Sequence, residues 1–188
     1  MQKQEVIRRI REAAAAGKKS LDFRGCRLRE LPSEIGRLTE LVHLDLSFNI
    51  LTRLPEEFRR LTKLTELDLS DNRLVDPFPV ISSLSSLTSL DLSGNQLRKL
   101  PPETGRLTGL THLDLRDNRL GEIPAEISRL KRITILGLSG NQLMVLPPEI
   151  GHLRSLTSWT SALIASRPCL LNSVPCPPSF TWISVITV

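Results

Sequence analysis

A repeat of 23 residues runs through most of the chain, from about residue 18 to residue 155. A unit of this length cannot bury an apolar face by itself, because only stacked neighbours can cover it. The period therefore predicts an array of six stacked units, of which the first, from Lys18, is the weakest match. The other five align without gaps and begin at Leu41, Leu64, Leu87, Leu110 and Ile133.

Leucines alternate with a polar residue near the start of each unit, as in Leu44, Asp45 and Leu46. Side chains two apart on a strand point to the same side, so both leucines are predicted to face a core and the aspartate to face outward. A later leucine, such as Leu51, and the residues around the Leu-Pro pair turn the chain back over that core. Each unit is thus predicted to contribute one short strand and one returning segment.

The pattern LxxLxLxxNxL followed by LPxxI resembles the repeats of intracellular leucine-rich repeat proteins of the LPxxIxxL type. The resemblance covers about three quarters of the chain. It implies an α/β solenoid, a right-handed horseshoe with a parallel sheet on its concave face and irregular or 3₁₀ segments outside. A protein-binding module is the function that it implies.

An asparagine follows the strand in five of the units. Side-chain amides can satisfy backbone groups that a buried turn would leave unpaired, so we interpret these residues as structural. Cys26 occupies the matching place in the first unit, where we expect packing rather than a reactive thiol. The five are Asn49, Asn72, Asn95, Asn118 and Asn141.

Residues 1–17 are predicted to form a helix that ends at Gly17 and covers the first unit. Its apolar face would close the open end of the solenoid, which otherwise exposes leucines. Binding of this helix to a membrane surface is the alternative. The face consists of Val6, Ile7, Ile10, Ala13 and Ala14.

The third unit departs from the others at Pro77, Phe78 and Pro79, where they have a Leu-Pro or Ile-Pro pair. We expect the outer loop to follow a different path there. Phe78 is expected to fill the leucine pocket.

Residues 156–188 leave the pattern after three residues in register, and we interpret them as a degenerate, poorly ordered tail. Trp159 and Trp182 are 23 residues apart, each where the second strand leucine is due. The single tryptophan codon, read two bases later, allows Leu-Asp-Leu at both places, which indicates a frame-shifted continuation of the repeats. A divergent C-terminal cap is the alternative, but a cap keeps a polar face and this segment has one charged residue, Arg167.

The charge and the cysteines argue against several classes of protein. The net charge of +5 lies mainly in the first twenty residues, because residues 21–155 carry eighteen basic and eighteen acidic side chains. We therefore expect no nucleic acid as a partner. Three cysteines without metal-ligand spacing and the absence of an apolar leader or a long apolar run predict a cytoplasmic monomer without metal, cofactor or membrane contact.

The outward-facing strand positions are the candidate binding surface. Asp22, Asp45, Asp68, Asp91 and Asp114 are expected to form a row of carboxylates that is interrupted at Gly137. The row either hydrogen-bonds neighbouring turn groups or attracts a basic partner. The predicted partner-binding residues are His43, Asp45, Phe48, Glu66, Asp68, Asp71, Ser89, Asp91, His112, Asp114, Arg116, Asp117 and Ile135.

Two functions fit these features, and neither uses a catalytic residue of this chain. The first is a cytoplasmic protein–protein interaction module, a signalling scaffold without enzymatic activity. The second is the N-terminal repeat portion of a larger signalling enzyme, because a helix followed by such an array resembles the start of bacterial Roco-type GTPases.

Overall fold

The computed structural model describes residues 3–160. Seven strands of three residues are hydrogen-bonded in chain order into one parallel sheet that stays open at both edges. Their register advances by one repeat at each step, so that Leu44 pairs with Leu67 and Leu67 with Leu90. This architecture confirms the predicted repeat solenoid. The strands are β1 (Ser20–Asp22), β2 (His43–Asp45), β3 (Glu66–Asp68), β4 (Ser89–Asp91), β5 (His112–Asp114), β6 (Ile135–Gly137) and β7 (Ser158–Thr160).

The alternation of leucine and aspartate places the core on one side of the sheet. Leu44 is 2% exposed and Leu46 is fully buried, whereas Asp45 between them is half-buried. The equivalent side chains of every unit join one continuous aliphatic core. Each unit buries its apolar side chains against its two neighbours, so the core extends along the whole array.

The returning segments outside the sheet are 3₁₀ helices in five units. Each follows a proline in extended conformation, such as Pro55 with φ −73° and ψ 153°. Proline has no backbone N–H, so it cannot donate a hydrogen bond to a neighbouring strand. A central side chain of each helix points inward, and Ile35 and Phe58 are fully buried. The 3₁₀ helices span Ser33–Arg37, Glu56–Arg60, Pro102–Arg106, Ala125–Arg129 and Pro148–His152.

An N-terminal helix, α1 (Lys3–Ala15), lies against the first unit. Val6, Ile10 and Ala13 are buried, while Ile7 and Ala14 on the same predicted face are only partly covered. The helix ends at Ala15, and Gly17 just beyond it has a φ of 56° and lets the Lys18 amide donate to the Ala13 carbonyl at 3.0 Å. No helix within residues 3–160 is long and apolar enough to cross a membrane.

The third unit replaces the 3₁₀ helix with a short α-helix, α2 (Phe78–Ile81). Pro77 stands at the leucine position with φ −86° and ψ −12°, so the turn starts one residue earlier than in the other units. Phe78 is fully buried, as are Ile81 and, nearly so, Val80. The expected change of path and the packing role of Phe78 are both confirmed.

The asparagines that follow the strands bind backbone groups of two units at once. The Asn72 amide donates to the carbonyls of Leu46, Leu69 and Ser70 at 3.0–3.1 Å, and its oxygen accepts from the Leu51 amide at 3.0 Å. Equivalent bonds recur at the other four asparagines. The structure thus confirms their structural role. Cys26, at the same place in the first unit, is half-buried and packs against the core.

The strand β7 lies in the segment that the sequence pattern assigns to the tail. Trp159 pairs with Leu136 and is 7% exposed, so its indole fills the core position that leucine occupies in the other strands. The strand's hydrogen bonds join backbone atoms, as from the Leu138 amide to the Thr160 carbonyl at 2.7 Å, and therefore do not need a leucine. The array thus continues to residue 160, and the rest of the proposed frame-shifted tail lies outside the described residues.

Candidate binding surface

The constant register arranges outward-facing residues into rows that cross the sheet, with about 4.8 Å between members. The first strand position forms one row, which runs through Ser20, His43, Glu66, Ser89, His112, Ile135 and Ser158. The third strand position forms the aspartate row, defined as Asp22, Asp45, Asp68, Asp91 and Asp114. The predicted row of carboxylates is therefore present in the fold.

One oxygen of each carboxylate in the aspartate row supports the turn after the strand. The Oδ1 atom of Asp45 accepts hydrogen bonds from the Ser47 amide at 2.8 Å and from the Ser47 hydroxyl at 2.6 Å. Asp68 and Asp91 have the same pair of bonds. The Oδ2 atoms of these three carboxylates form no hydrogen bond within residues 3–160 and remain available to a partner. The aspartate row can therefore both hydrogen-bond the turn groups and attract a basic partner.

Asp91 carries the central charge of the row. Burial raises the pKa of its carboxyl group above the usual value, and the neighbouring charges of Asp114 and Asp68 act in the same direction. The hydrogen bonds from Ser93 oppose this shift but do not cancel it. A lysine or arginine that a partner brings close to Asp91 would favour the ionised form and lower this pKa.

Arg116 lies at the C-terminal end of the aspartate row, where it pairs with Asp114. Its Nε atom lies 2.8 Å from Oδ2 and 2.9 Å from Oδ1 of Asp114. A β-carbon at Gly137 would lie 2.5 Å from the Asp114 carboxylate and 3.0 Å from the Arg116 side chain, so the glycine leaves room for this pair. The interruption at Gly137 is thus filled by an arginine, and the unpaired acidic surface is centred on Asp45, Asp68 and Asp91.

Phe48 lies at the rim of the concave surface, three residues beyond the end of β2. Its φ of 55° is in the left-handed region, which bulky side chains rarely adopt. The ring is 50% exposed and the Arg24 guanidinium lies 4.4 Å from its centroid. Burial therefore does not offset the backbone cost. Glycine or aspartate stands at the equivalent places, which are Gly25, Asp71, Gly94, Asp117 and Gly140.

The predicted residues divide between the strands and this rim. Phe48, Asp71, Arg116 and Asp117 are grouped with the strand positions in the sequence pattern, but they follow the strands, which are only three residues long. The strands themselves place His43, Asp45, Glu66, Asp68, Ser89, Asp91, His112, Asp114 and Ile135 on the concave side.

Histidines on the first strand row have local polar partners. His43 Nδ1 lies 2.9 Å from Glu66 on the next strand, and His112 Nδ1 lies 2.8 Å from the Thr111 hydroxyl. Ile135, the next residue of the row after His112, is 41% exposed. The concave surface thus has an aromatic group near one end, an aliphatic group near the other and carboxylates between them.

Arg24 belongs to this surface although it is absent from the residues predicted from the sequence. Its place corresponds to that of Arg116 in the fifth unit, so alignment of the first repeat would have put it on the rim. Within residues 3–160 there is no group of histidine, cysteine or acidic side chains that could hold a metal ion.

Comparisons with known proteins agree with this architecture. The family model described as Leucine rich repeat matches residues 19–74 and 85–143, and that described as Leucine Rich repeats (2 copies) matches residues 62–107. No curated protein matches.

Two solved structures are similar to the chain. The ectodomain of the Arabidopsis thaliana membrane receptor kinase GASSHO1/SCHENGEN3, in complex with CASPARIAN STRIP INTEGRITY FACTOR 2, is 34% identical with a TM-score of 0.64, over 71% of this chain and 17% of that one. An internalin (inlF) from Listeria monocytogenes is 23% identical with a TM-score of 0.61, over 81% of this chain and 51% of that one. Both similar structures are thus considerably longer than this chain.

Proposed function

The chain belongs to the leucine-rich repeat family, and we propose that it is a non-catalytic module that binds a protein partner on its concave surface. The observation that carries this proposal is Phe48, whose half-exposed ring is held on a backbone conformation that glycine or aspartate would adopt at lower cost. Folding gains little from a phenylalanine at this place. Contact with a partner gives the ring a role, since aromatic side chains often anchor protein interfaces.

The spacing of the exposed groups indicates the kind of partner. Phe48 follows β2 and Ile135 lies on β6, so four strand spacings, about 19 Å, separate their repeats. A partner that contacts both passes over β3, β4 and β5, which carry Asp68, Asp91 and Asp114. The best fit is therefore a segment with an apolar side chain near each end and a lysine or arginine between them.

Relatives support the class of function rather than the identity of the partner. The plant receptor ectodomain, 34% identical to this chain, was solved in complex with CASPARIAN STRIP INTEGRITY FACTOR 2. A leucine-rich repeat array of similar fold thus binds another molecule, which is the activity proposed for this chain.

The proposal is tested by capturing a partner with the full chain and titrating it against variants. We expect the double variant Phe48→Ala and Arg116→Ala to bind at least tenfold more weakly, because both side chains lie on the concave rim. The matched control is Val75→Ala and Arg98→Ala, which removes one exposed apolar and one arginine side chain from the outer loops. Equal affinities of the two double variants would show that the partner does not bind the concave surface.

Two further parts of the proposal concern context. We propose that the module acts in the cytoplasm as a monomer, supported by its few cysteines without disulfide or metal-ligand spacing. A role as the repeat region of a larger protein, such as a Roco-type GTPase, is the second candidate. The observation that favours it is that the chain spans 17% and 51% of the two similar structures. A P-loop downstream in the same reading frame would support it.

A further inference from the structure

Charges of opposite sign are separated around the solenoid, although they balance along the sequence. The last two residues of each 3₁₀ helix and the loop to the next strand are residues 36–42, 59–65, 105–111, 128–134 and 151–157, and residues 82–88 are their equivalent after α2. Together they form one edge of the solenoid, at the N-terminal ends of the strands. This edge contains a single acidic residue, Glu40, and nine basic residues, which are Arg37, Arg59, Arg60, Lys63, Arg106, Arg129, Lys131, Arg132 and Arg154.

Basic residues at the N-terminal half of this edge are partly paired with acidic side chains, although Arg37 and Arg60 form no ion pair within residues 3–160. Lys19 and Lys63 both contact Glu40, which lowers the pKa of that carboxyl group to about 2. Arg59 pairs with Glu56 at 2.9 Å and also donates to the Pro79 carbonyl. Ion pairs therefore reduce the positive charge of this half but do not remove it.

The C-terminal half differs, and we call its five cations the basic edge: Arg106, Arg129, Lys131, Arg132 and Arg154. All five side chains are exposed, and none forms an ion pair or a side-chain hydrogen bond with any residue in 3–160. No acidic residue lies in the three segments that carry them. The basic edge is thus a strip of uncompensated positive charge.

Stacking of the last three units holds these cations close together. The Ser155 hydroxyl donates to the Lys131 carbonyl at 2.8 Å, which places the loops of neighbouring units in direct contact. A β-carbon at Gly105 would lie 3.1 Å from Cδ of Arg129, so the stem of this arginine lies over the glycine of the preceding unit. Two repeat spacings amount to about 10 Å, comparable with the Debye length, so the five charges act together on a ligand.

The chemistry of the basic edge favours one kind of ligand. The large exposed apolar side chains of the described residues all lie elsewhere, at Phe48, Val75, Ile135, Met144 and Val145. A folded protein partner generally needs such an anchor, and single-stranded nucleic acid needs aromatic side chains on which bases stack. An anionic lipid surface needs only clustered lysine and arginine side chains.

We propose that the basic edge attaches the solenoid peripherally to an anionic membrane surface, with the phosphate and carboxylate groups of acidic lipids as its ligands. This differs from the expectation of no membrane contact, which rested on the absence of an apolar leader and of a long apolar run. The edge lies beside the sheet, so attachment leaves the concave surface open to a partner. The cytoplasmic leaflet is the anionic one, which fits the location proposed above.

Binding of the full chain to lipid vesicles tests this proposal. We expect sedimentation with vesicles of phosphatidylcholine that contain about 30% phosphatidylserine, no binding to phosphatidylcholine alone, and release as salt rises. The triple variant Lys131→Gln, Arg132→Gln and Arg154→Gln should bind on the order of a hundredfold more weakly.

The matched control removes three exposed cations from the opposite edge, with Arg98→Gln, Lys99→Gln and Arg119→Gln. Both triple variants lower the net charge equally, so the proposal requires the control to retain nearly full binding. Equal losses in the two variants would show a response to net charge alone and would overturn it. The proposal is also overturned if the chain ignores acidic vesicles, or if it binds duplex nucleic acid and not vesicles. Thermal melts of all three proteins verify that each is folded.

Discussion

The guanidinium group of Arg24 lies over the ring of Phe48, 4.4 Å from its centroid, so one side chain of the first unit covers part of the exposed aromatic of the second. The contact joins a cation to a ring that stands on left-handed backbone. It orients the Phe48 ring at the rim without burying it. An aromatic that is held in place but accessible is suited to bind a partner at low entropic cost.

The first prediction concerns the backbone at Phe48. Phe48→Gly should leave the melting temperature unchanged or raise it, because relief of about 1–2 kcal/mol of left-handed strain outweighs the entropy that glycine loses on folding. The same variant should bind the captured partner at least tenfold more weakly. A variant that melts at lower temperature and binds normally would assign Phe48 to stability instead of recognition.

A second prediction tests which strand side chains face the core. Leu92→Ala should lower the free energy of unfolding by about 2–5 kcal/mol, because Leu92 is fully buried in the middle of the array. Ser89→Ala, on the concave side of the same unit, should cost about 0.5 kcal/mol or less. Denaturant melts measure both, and equal losses would contradict the assigned facing.

The asparagines provide a third prediction with an internal control. Asn95→Ala should cost about 3 kcal/mol or more, because it leaves the buried Leu74 amide without a partner and removes one of the two hydrogen bonds that the carbonyls of Leu69, Leu92 and Ser93 each accept. Asn141→Ala removes the same set of bonds where the side chain is half-buried, so water can replace them. Its smaller loss, about 1–2 kcal/mol, is measured in the same denaturant melts. A larger loss for Asn141→Ala than for Asn95→Ala would show that burial does not set the cost.

The fourth prediction follows from the raised pKa of Asp91. A carboxyl group whose pKa is higher in the folded state binds more protons there than in the unfolded chain, so its ionisation destabilises the fold as pH rises. Asp91→Asn should therefore stabilise the protein at pH 7. The gain should shrink as pH falls through the folded pKa towards the ordinary aspartate pKa of 3.8. Melts of wild type and variant across this range measure the difference, and a gain that grows at low pH would contradict it.

Much of the fold could be predicted because the repeat carries redundant information. The spacing of Leu44 and Leu46 specifies which side of a strand is buried, and the same spacing recurs in each neighbour. Asn72 could be assigned a structural role because its position after the strand requires a polar group that satisfies the backbone. Phe78 could be placed in the core because its unit lacks the usual leucine.

Other features depend on contacts between units, which the sequence of a single unit does not reveal. The contact between Arg24 and Phe48 crosses from one unit to the next, and neither residue alone predicts it. Trp159 falls in the predicted tail because it is not leucine, yet an indole fills the same space and the strand is held by backbone bonds. The separation of charge does not emerge from the summed charges of all units, because it depends on where each charge lies on the solenoid.

The most direct measurement of the central claim is oxidative footprinting of the chain, alone and in complex with its captured partner. Phe48, Ile135, Met144, Val145 and Val75 are all exposed and open to labelling in the free protein. Binding on the concave surface predicts that complex formation lowers the labelling of Phe48 and Ile135 and leaves Met144, Val145 and Val75 unchanged. Protection of the latter three, with Phe48 and Ile135 labelled as in the free chain, would contradict it.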